Sequence, residues 1–137
     1  LKSRRAGTID LKKEIDKYGE RNLLVHVEFE VDGEAVSENL VTFVRPKHLT
    51  LRKPRIKTSI RREGDGARAT FSTDLPALWV FPDIPKDRFN SPTRYSDRFF
   101  HLFPGRKKQI SIRPARRRES GELKERLIVS SLIDTYE

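Results

Sequence analysis

Short alternations of apolar and polar residues constrain this chain more than any other feature of its sequence. Residues 23–31 place Leu23, Val25, Val27, Phe29 and Val31 on one face of an extended segment, a period of two that indicates a half-buried strand. The dipeptide Asp-Gly follows at positions 32 and 33, and Asp-Gly between apolar runs favours a tight hairpin turn. The sequence therefore predicts a hairpin that returns through residues 34–37 and 40–44.

The same alternation recurs beyond residue 54. Strands are predicted over residues 56–61, 67–73, 77–81, 109–112 and 127–133, with a turn at 63–66 and a type II turn at Pro104-Gly105. Residues 11–18 have a brief helical spacing that fits a strand and turn equally well. Six or seven short strands separated by turns predict an all-β, immunoglobulin-like antiparallel β-sandwich, preceded by part of a second β-sandwich.

A basic, proline-marked stretch over residues 45–54 divides the two halves. Proline removes a ladder donor and holds the residue before it extended, so this stretch favours a linker. We predict residues 1–53 to be the C-terminal portion of an Ig-like or carbohydrate-binding-like sandwich, and residues 54–137 to be a C-terminal Ig-like sandwich. Because the sequence starts at Leu1 without a Met, we expect it to belong to a longer polypeptide.

The predicted core of the second sandwich consists of apolar residues at the inward-facing positions of its strands. Trp79 lies between Leu78 and Val80 in a run that is apolar on both faces, which is typical of a central strand. Of Phe99 and Phe100, which alternate on a strand, one is expected to anchor the core. The full set is Ile56, Ile60, Phe71, Trp79, Phe81, Ile110, Ile112, Leu127 and Val129.

The formal net charge of +9 raises nucleic acid as a partner. The basic residues concentrate in two acid-free stretches, 45–62 and 106–118, and the second ends in Arg116, Arg117 and Arg118. They alternate with core-facing residues and lack interleaved aromatics, which favours solvated strand ends or a face that docks on an acidic neighbouring domain. A free-standing basic β-protein that binds nucleic acid or another polyanion is the alternative hypothesis.

The chain lacks the residues that several kinds of site require. The chain has no cysteine, and its three histidines, His26, His48 and His101, are not spaced as metal ligands, so we predict no metal site and no cofactor. No apolar run approaches the roughly 18 residues of a membrane span, and we expect no membrane partner. The compartment stays open.

Three stretches carry a family resemblance. Residues 39–49 with Leu51 and Pro54, residues 95–105 (Tyr-Ser-Asp-Arg-Phe-Phe-His-Leu-Phe-Pro-Gly) and residues 131–136 (Ser-Leu-Ile-Asp-Thr-Tyr) occur in order. They resemble the closing segment of the penultimate sandwich and two stretches of the last sandwich in β-mannosidases of glycoside hydrolase family 2. Arg98, His101 and Ile133 stand where the family pattern has Asn, Asp and Tyr.

The resemblance implies a non-catalytic C-terminal module of an enzyme that hydrolyses terminal non-reducing β-D-mannose residues. Its partners would be the catalytic β/α barrel and other β-sandwich domains, with carbohydrate as a further candidate. A retaining glycosidase needs two carboxylates about 5 Å apart on a barrel of roughly 250 residues, and this chain is too short for that barrel. We therefore predict no catalytic residue and take Tyr95 and Phe99 as candidate contacts with sugar or with a neighbouring domain.

Overall fold

A computed structural model describes residues 4–85, 93–114 and 120–136 of the chain. The chain divides into two compact units, Leu1–Leu51 and Arg52–Glu137, and each is described by itself. Within the described residues, neither helix has the length and apolar character that crossing a bilayer requires.

The first unit is a short helix followed by a hairpin. Helix α1, Lys12–Tyr18, and a 3₁₀ turn, Glu20–Asn22, precede the antiparallel strands β1, Leu24–Val31, and β2, Glu34–Thr42. A further 3₁₀ turn spans Pro46–His48. The hairpin turn has Asp32 at φ 53° and Gly33 at φ 81°, so both central residues are left-handed, as in a type I′ turn. The predicted hairpin is confirmed, and the ambiguous segment is a helix.

The apolar face of this hairpin is largely uncovered. Val27 is 48% exposed, Phe29 63% and Val31 45%, although alternation places them on the face that a sandwich would bury. Among the described residues of the first unit, only Leu49 is a fully buried apolar side chain. The unit therefore has the strands of a sandwich half and little core of its own.

The second unit contains two antiparallel sheets that pack on a shared core. One sheet has the order β3-β4-β8-β6 and the other β7-β5-β9. These strands are β3 Ile56–Glu63, β4 Gly66–Thr73, β5 Ala77–Asp83, β6 Arg94–Tyr95, β7 Phe100–Leu102, β8 Lys107–Arg113 and β9 Ile128–Ser130. The predicted all-β, immunoglobulin-like sandwich is confirmed.

The core lies between the two sheets. Its buried residues are Ala69, Phe71, Ala77, Val80, Phe100, Leu102, Ile110 and Ile112, with Ile56, Ile60, Tyr95, Leu127 and Val129 packed against it in part. The predicted core positions Phe71, Ile110 and Ile112 are correct, and Phe100 is the aromatic anchor expected at 99 or 100. Trp79 and Phe81 are half-buried rather than core residues, and these two predictions are wrong.

Two turns follow the sequence closely. The β3–β4 turn has Gly64 at φ 56° while Asp65 is not left-handed, the pattern of a type II′ hairpin. Gly105 has φ 81°, and the Arg106 N–H donates to the Phe103 carbonyl at 3.2 Å, which closes the predicted turn at Pro104-Gly105.

The C-terminal segment differs from the predicted long strand. Strand β9 covers only Ile128–Ser130, and a 3₁₀ helix follows over Leu132–Thr135. The Asp134 carboxylate accepts bonds from the Ser131 N–H at 2.8 Å and from the Ser131 hydroxyl at 3.1 Å, so this pair ends the strand with a capping box.

Helix α2, Ser120–Arg126, was not predicted, and it buries Leu123 against Ala67 and Ile84. Arg116, Arg117 and Arg118 lie outside the described residues.

Candidate functional site

A cluster of aromatic rings around Arg98 forms the most unusual polar site of the second unit. The guanidinium carbon of Arg98 lies 4.0 Å from the centroid of the Tyr95 ring and 4.8 Å from that of Phe81. Its terminal nitrogen is 3.3 Å from a carboxylate oxygen of Asp83, whose side chain is only 7% exposed. The cation is therefore held by two ring faces and one buried counter-ion.

The strands on either side position these groups. Tyr95 lies on β6 opposite Ile112, and Phe81 and Asp83 lie on β5. Phe99 precedes β7 with φ 62°, a left-handed conformation that a bulky residue rarely adopts. The Phe99 N–H donates to the Val80 carbonyl at 2.9 Å, so the left-handed backbone is anchored on β5.

Phe99 itself presents its ring to solvent. The side chain is 58% exposed, and its ring stacks on Phe81 with centroids 4.8 Å apart and an interplanar angle of 27°. The Phe81 ring also contacts Arg98, whose guanidinium carbon lies 4.8 Å from its centroid. The arrangement leaves one supported, flat aromatic surface that is available for contact.

Tyr95 has a different role from Phe99. Its hydroxyl and the Nε of Arg98 are both buried and lack a hydrogen-bond partner among the described residues. Burial raises the pKa of Tyr95 above its ordinary value, and the nearby Arg98 guanidinium and Ile84 backbone partly oppose that increase. Of the two residues proposed as contacts, Tyr95 supports Arg98 from within, and Phe99 is the accessible one.

A bulge in β5 explains why Trp79 is not a core residue. The pairing of β5 with β7 shifts register between Ala77 and Val80. Trp79 has φ 48°, and its N–H lies 3.3 Å from His101 Nδ1, while its ring meets the His101 ring edge-on at 5.1 Å. The bulge turns Leu78 into the interior and Trp79 toward the surface, which alternation alone cannot anticipate.

One group in the first unit has the residue types of a metal site. His26 and Glu28 lie on β1 and Glu38 on β2, with one ligand atom of each within 4.8 Å of the others. Glu28 and Glu38 are directly opposite in the hairpin register, and His26 Nε2 lies 3.2 Å from Glu38 Oε2. The histidine spacing considered in the sequence does not reveal this group, because two of its members are carboxylates from different strands. The absence of a metal site stays a prediction.

In the sequence, Arg98 stands out only as a departure from a family pattern, yet it is the centre of this site. Part of the signal was available, since the sequence places Arg98 three residues after Tyr95, whose ring it contacts. Its counter-ion Asp83 could not be recognised, because only the fold brings residues fifteen positions apart together.

Comparisons with known proteins agree with this architecture. The family model Ig_mannosidase, an Ig-fold domain, matches residues 51–135, and Mannosidase_ig, a mannosidase Ig/CBM-like domain, matches residues 1–48. No curated protein matches the chain. Among solved structures, the β-D-mannosidase from Dictyoglomus thermophilum aligns with a TM-score of 0.69 at 17% identity.

That alignment covers 82% of this chain and 13% of the mannosidase, so the chain spans a small part of that structure's length. A likeness at this identity speaks for the fold alone. The family models carry the assignment, since the first of them matches more than half of the chain, and they confirm the resemblance seen in residues 39–136. The chain belongs to the Ig_mannosidase family of Ig-fold domains, and its first part matches the mannosidase Ig/CBM-like domain family.

Proposed function

We propose that this chain is the C-terminal accessory part of a β-mannosidase of glycoside hydrolase family 2, whose catalytic barrel lies elsewhere in a longer protein. The observation that carries the proposal is the consecutive match of two mannosidase sandwich domains, residues 1–48 and then 51–135. The parent enzyme would hydrolyse terminal non-reducing β-D-mannose residues, and this chain would supply packing surface rather than chemistry.

The Arg98 cluster supports a contact role for Phe99. Asp83 is buried and paired with Arg98, so its carboxylate acts as a counter-ion and is not placed as a general acid. The exposed ring of Phe99 is supported from behind by Phe81, and a rigid aromatic of this kind is a common anchor in an interface. We propose that Phe99 packs on a neighbouring domain of the parent, with a sugar ring as the second candidate for the same surface.

The activity test compares this chain with its parent. We expect the purified chain to give no turnover of an aryl β-mannoside, because the barrel and its carboxylate pair are missing from it. The protein encoded by the complete reading frame is expected to hydrolyse that substrate and to leave the aryl α-mannoside intact. Turnover by the chain alone that a substitution within it abolishes would overturn the proposal, as would a complete reading frame without a β/α barrel.

The contact test separates a domain from a sugar as the partner of Phe99. In the full-length protein, Phe99→Ser should lower the unfolding temperature or release the module in limited proteolysis. Ile128→Ser serves as the matched control, because Ile128 lies in the same unit and is 53% exposed. Titration of this chain with β-mannobiose, followed by NMR, should leave the Phe99 amide unmoved. Saturable shifts at Phe99 would assign the surface to carbohydrate instead.

A further inference from the structure

The outer face of the sheet β3-β4-β8-β6 has an unusual charge. Alternation directs one set of side chains away from the core, and the register aligns these sets across the four strands. The outward set has six cations and one acid, Glu63 at the end of β3. We call it the basic face, and its cations are Lys57, Arg61, Arg68, Arg94, Lys107 and Arg113.

A groove of about 340 Å³ lies within the basic face. Three adjacent strands contribute to its lining, which consists of Ser59, Arg61, Arg68, Thr70, Lys107 and Gln109. Its volume is at the lower end of the range for small-molecule sites. Every lining side chain is a cation, a hydroxyl or an amide, so each can form a hydrogen bond to a polar ligand.

The acidic side chains near the groove do not pair with all of its cations. Arg61 and Arg68 are directly opposite each other in the hairpin, and like charges in that position are unfavourable. Glu63 binds Arg68, with Arg68 Nε donating to Oε2 at 2.9 Å, which offsets one of the cations. Arg61 and Lys107 form no ion pair within the described part of the chain. An anion in the groove would relieve the remaining repulsion.

The chemistry of the lining selects among anionic partners. Among the residues that the structure describes, no aromatic ring lines the groove, so it lacks the stacking platform on which single-stranded nucleic acid or a neutral sugar usually rests. Cations alternate with Ser59, Thr70 and Gln109, which match a ligand that has both acidic groups and hydroxyls. We propose that the groove on the basic face binds an anionic saccharide, recognised through its carboxylate or sulfate groups by Arg61 and Lys107.

The proposal is independent of any mannosidase activity in the parent, because it concerns charged sugar units on a surface of this chain. The test uses the whole chain and fluorescently labelled oligosaccharides of equal length: oligogalacturonate, a sulfated heparin fragment and neutral β-mannan. A DNA oligonucleotide of the same charge is the fourth probe. Anisotropy is measured at two salt concentrations, because exposed charge–charge interactions weaken as salt rises.

The decisive variants remove equal charge at two places. The groove variant combines Arg61→Gln with Lys107→Gln. The control variant combines Lys12→Gln with Lys13→Gln and so removes two exposed cations from helix α1. We expect at least one of the two acidic saccharides to bind the groove variant about tenfold more weakly than it binds the unaltered chain. Its affinity for the control variant should equal that for the unaltered chain. The neutral mannan should not bind at all. Preference for the carboxylated or the sulfated probe identifies the acidic group.

Three results would overturn the proposal. Equal weakening in both double variants would mean that total charge, not the groove, attracts the saccharide. Tighter binding of DNA than of either acidic saccharide would assign the basic face to nucleic acid. The third check is an NMR titration of the unaltered chain, which does not depend on how the variants fold. If the acidic saccharide changes amide chemical shifts elsewhere but not at Ser59, Thr70 and Gln109, the ligand binds outside the groove.

Discussion

Phe99 and Phe100 are neighbours in sequence with opposite environments. Phe100 is 2% exposed and lies 5.4 Å from the Phe71 ring, centroid to centroid, whereas Phe99 is 58% exposed. We predict that Phe100→Ala lowers the free energy of unfolding by about 3–5 kcal/mol, the usual cost of a large cavity. Phe99→Ala should cost less than about 1 kcal/mol, since it removes one stacking contact at the surface.

Urea unfolding monitored by Trp79 fluorescence measures both losses, and the adjacent position supplies the matched control. Similar costs at the two positions would mean that Phe99 is covered in solution, either by another part of the chain or by a second molecule.

Which residues are buried could be predicted where the strand is regular and not where it bulges. Phe71, Ile110 and Ile112 lie in uninterrupted alternation, and each is in the core. Trp79 and Phe81 lie in β5, whose register slips by one residue, so the outward and inward positions exchange. A bulge depends on the pairing partner, and the local sequence of β5 does not show it.

The capping box after β9 makes the last element sensitive to pH. Burial alone would raise the pKa of Asp134, but hydrogen bonds from Ser131 and the Lys53 ammonium at 3.1 Å lower it below its ordinary value. A carboxyl whose folded pKa is depressed stabilises the fold at neutral pH. That contribution is lost as the pH falls below about 4 and through the folded pKa.

We predict that Asp134→Asn narrows the difference in unfolding free energy between pH 7 and pH 3. Chemical denaturation at the two pH values measures that difference. Asp65→Asn is the control, because Asp65 is exposed in the β3–β4 turn and forms no hydrogen bond with the described residues. An equal change in both variants would show that net charge, not the capping box, sets the acid sensitivity.

Elements with distinctive turn chemistry were the predictable ones. Asp32-Gly33 and Pro104-Gly105 specify their turns through the φ angles that these residues allow, and both turns form. Helix α2 has seven residues, and Leu123 is its one buried side chain among those described, so it offers no periodic apolar stripe to detect. The final 3₁₀ helix depends on the contact of Ser131 with Asp134, which competes with extension of the strand.

At the scale of the whole molecule, we propose that residues 54–137 fold as a self-contained sandwich and that residues 1–53 do not. The core of the second unit joins both of its sheets, whereas a two-stranded hairpin is marginally stable in water. Hydrogen exchange on the intact chain should therefore show strands β3 to β9 protected together and residues 23–44 exchanging much faster.

A second measurement locates the boundary directly. A fragment that begins at Arg52 should unfold cooperatively, with a midpoint in urea close to that of the second unit in the intact chain. Equal exchange protection in both halves, or a fragment that does not fold, would instead indicate one core shared by residues 1–53 and 54–137.

The candidate site shows the same division between local and global information. Tyr95 and Phe99 could be selected from sequence because the family-like stretch 95–105 contains them. Their separate roles depend on Asp83, Phe81 and the Val80 carbonyl, all of which reach the site through the pairing of distant segments. The family was also recognisable from sequence, since short ordered motifs survive where overall identity is low.

The uncovered hairpin has a consequence for the handling of this protein. A sheet of two strands has no interior strand, so β1 and β2 each present an edge whose free N–H and C=O groups can pair with another copy. Val27 and Phe29 on the exposed apolar face add a surface for stacking, which is the combination found in aggregation-prone segments. Glu28, Glu30 and Glu38 interrupt that tendency by charge repulsion between copies. Solubility in isolation should therefore depend on these three carboxylates, and replacing all three with Gln should favour fibrous self-association.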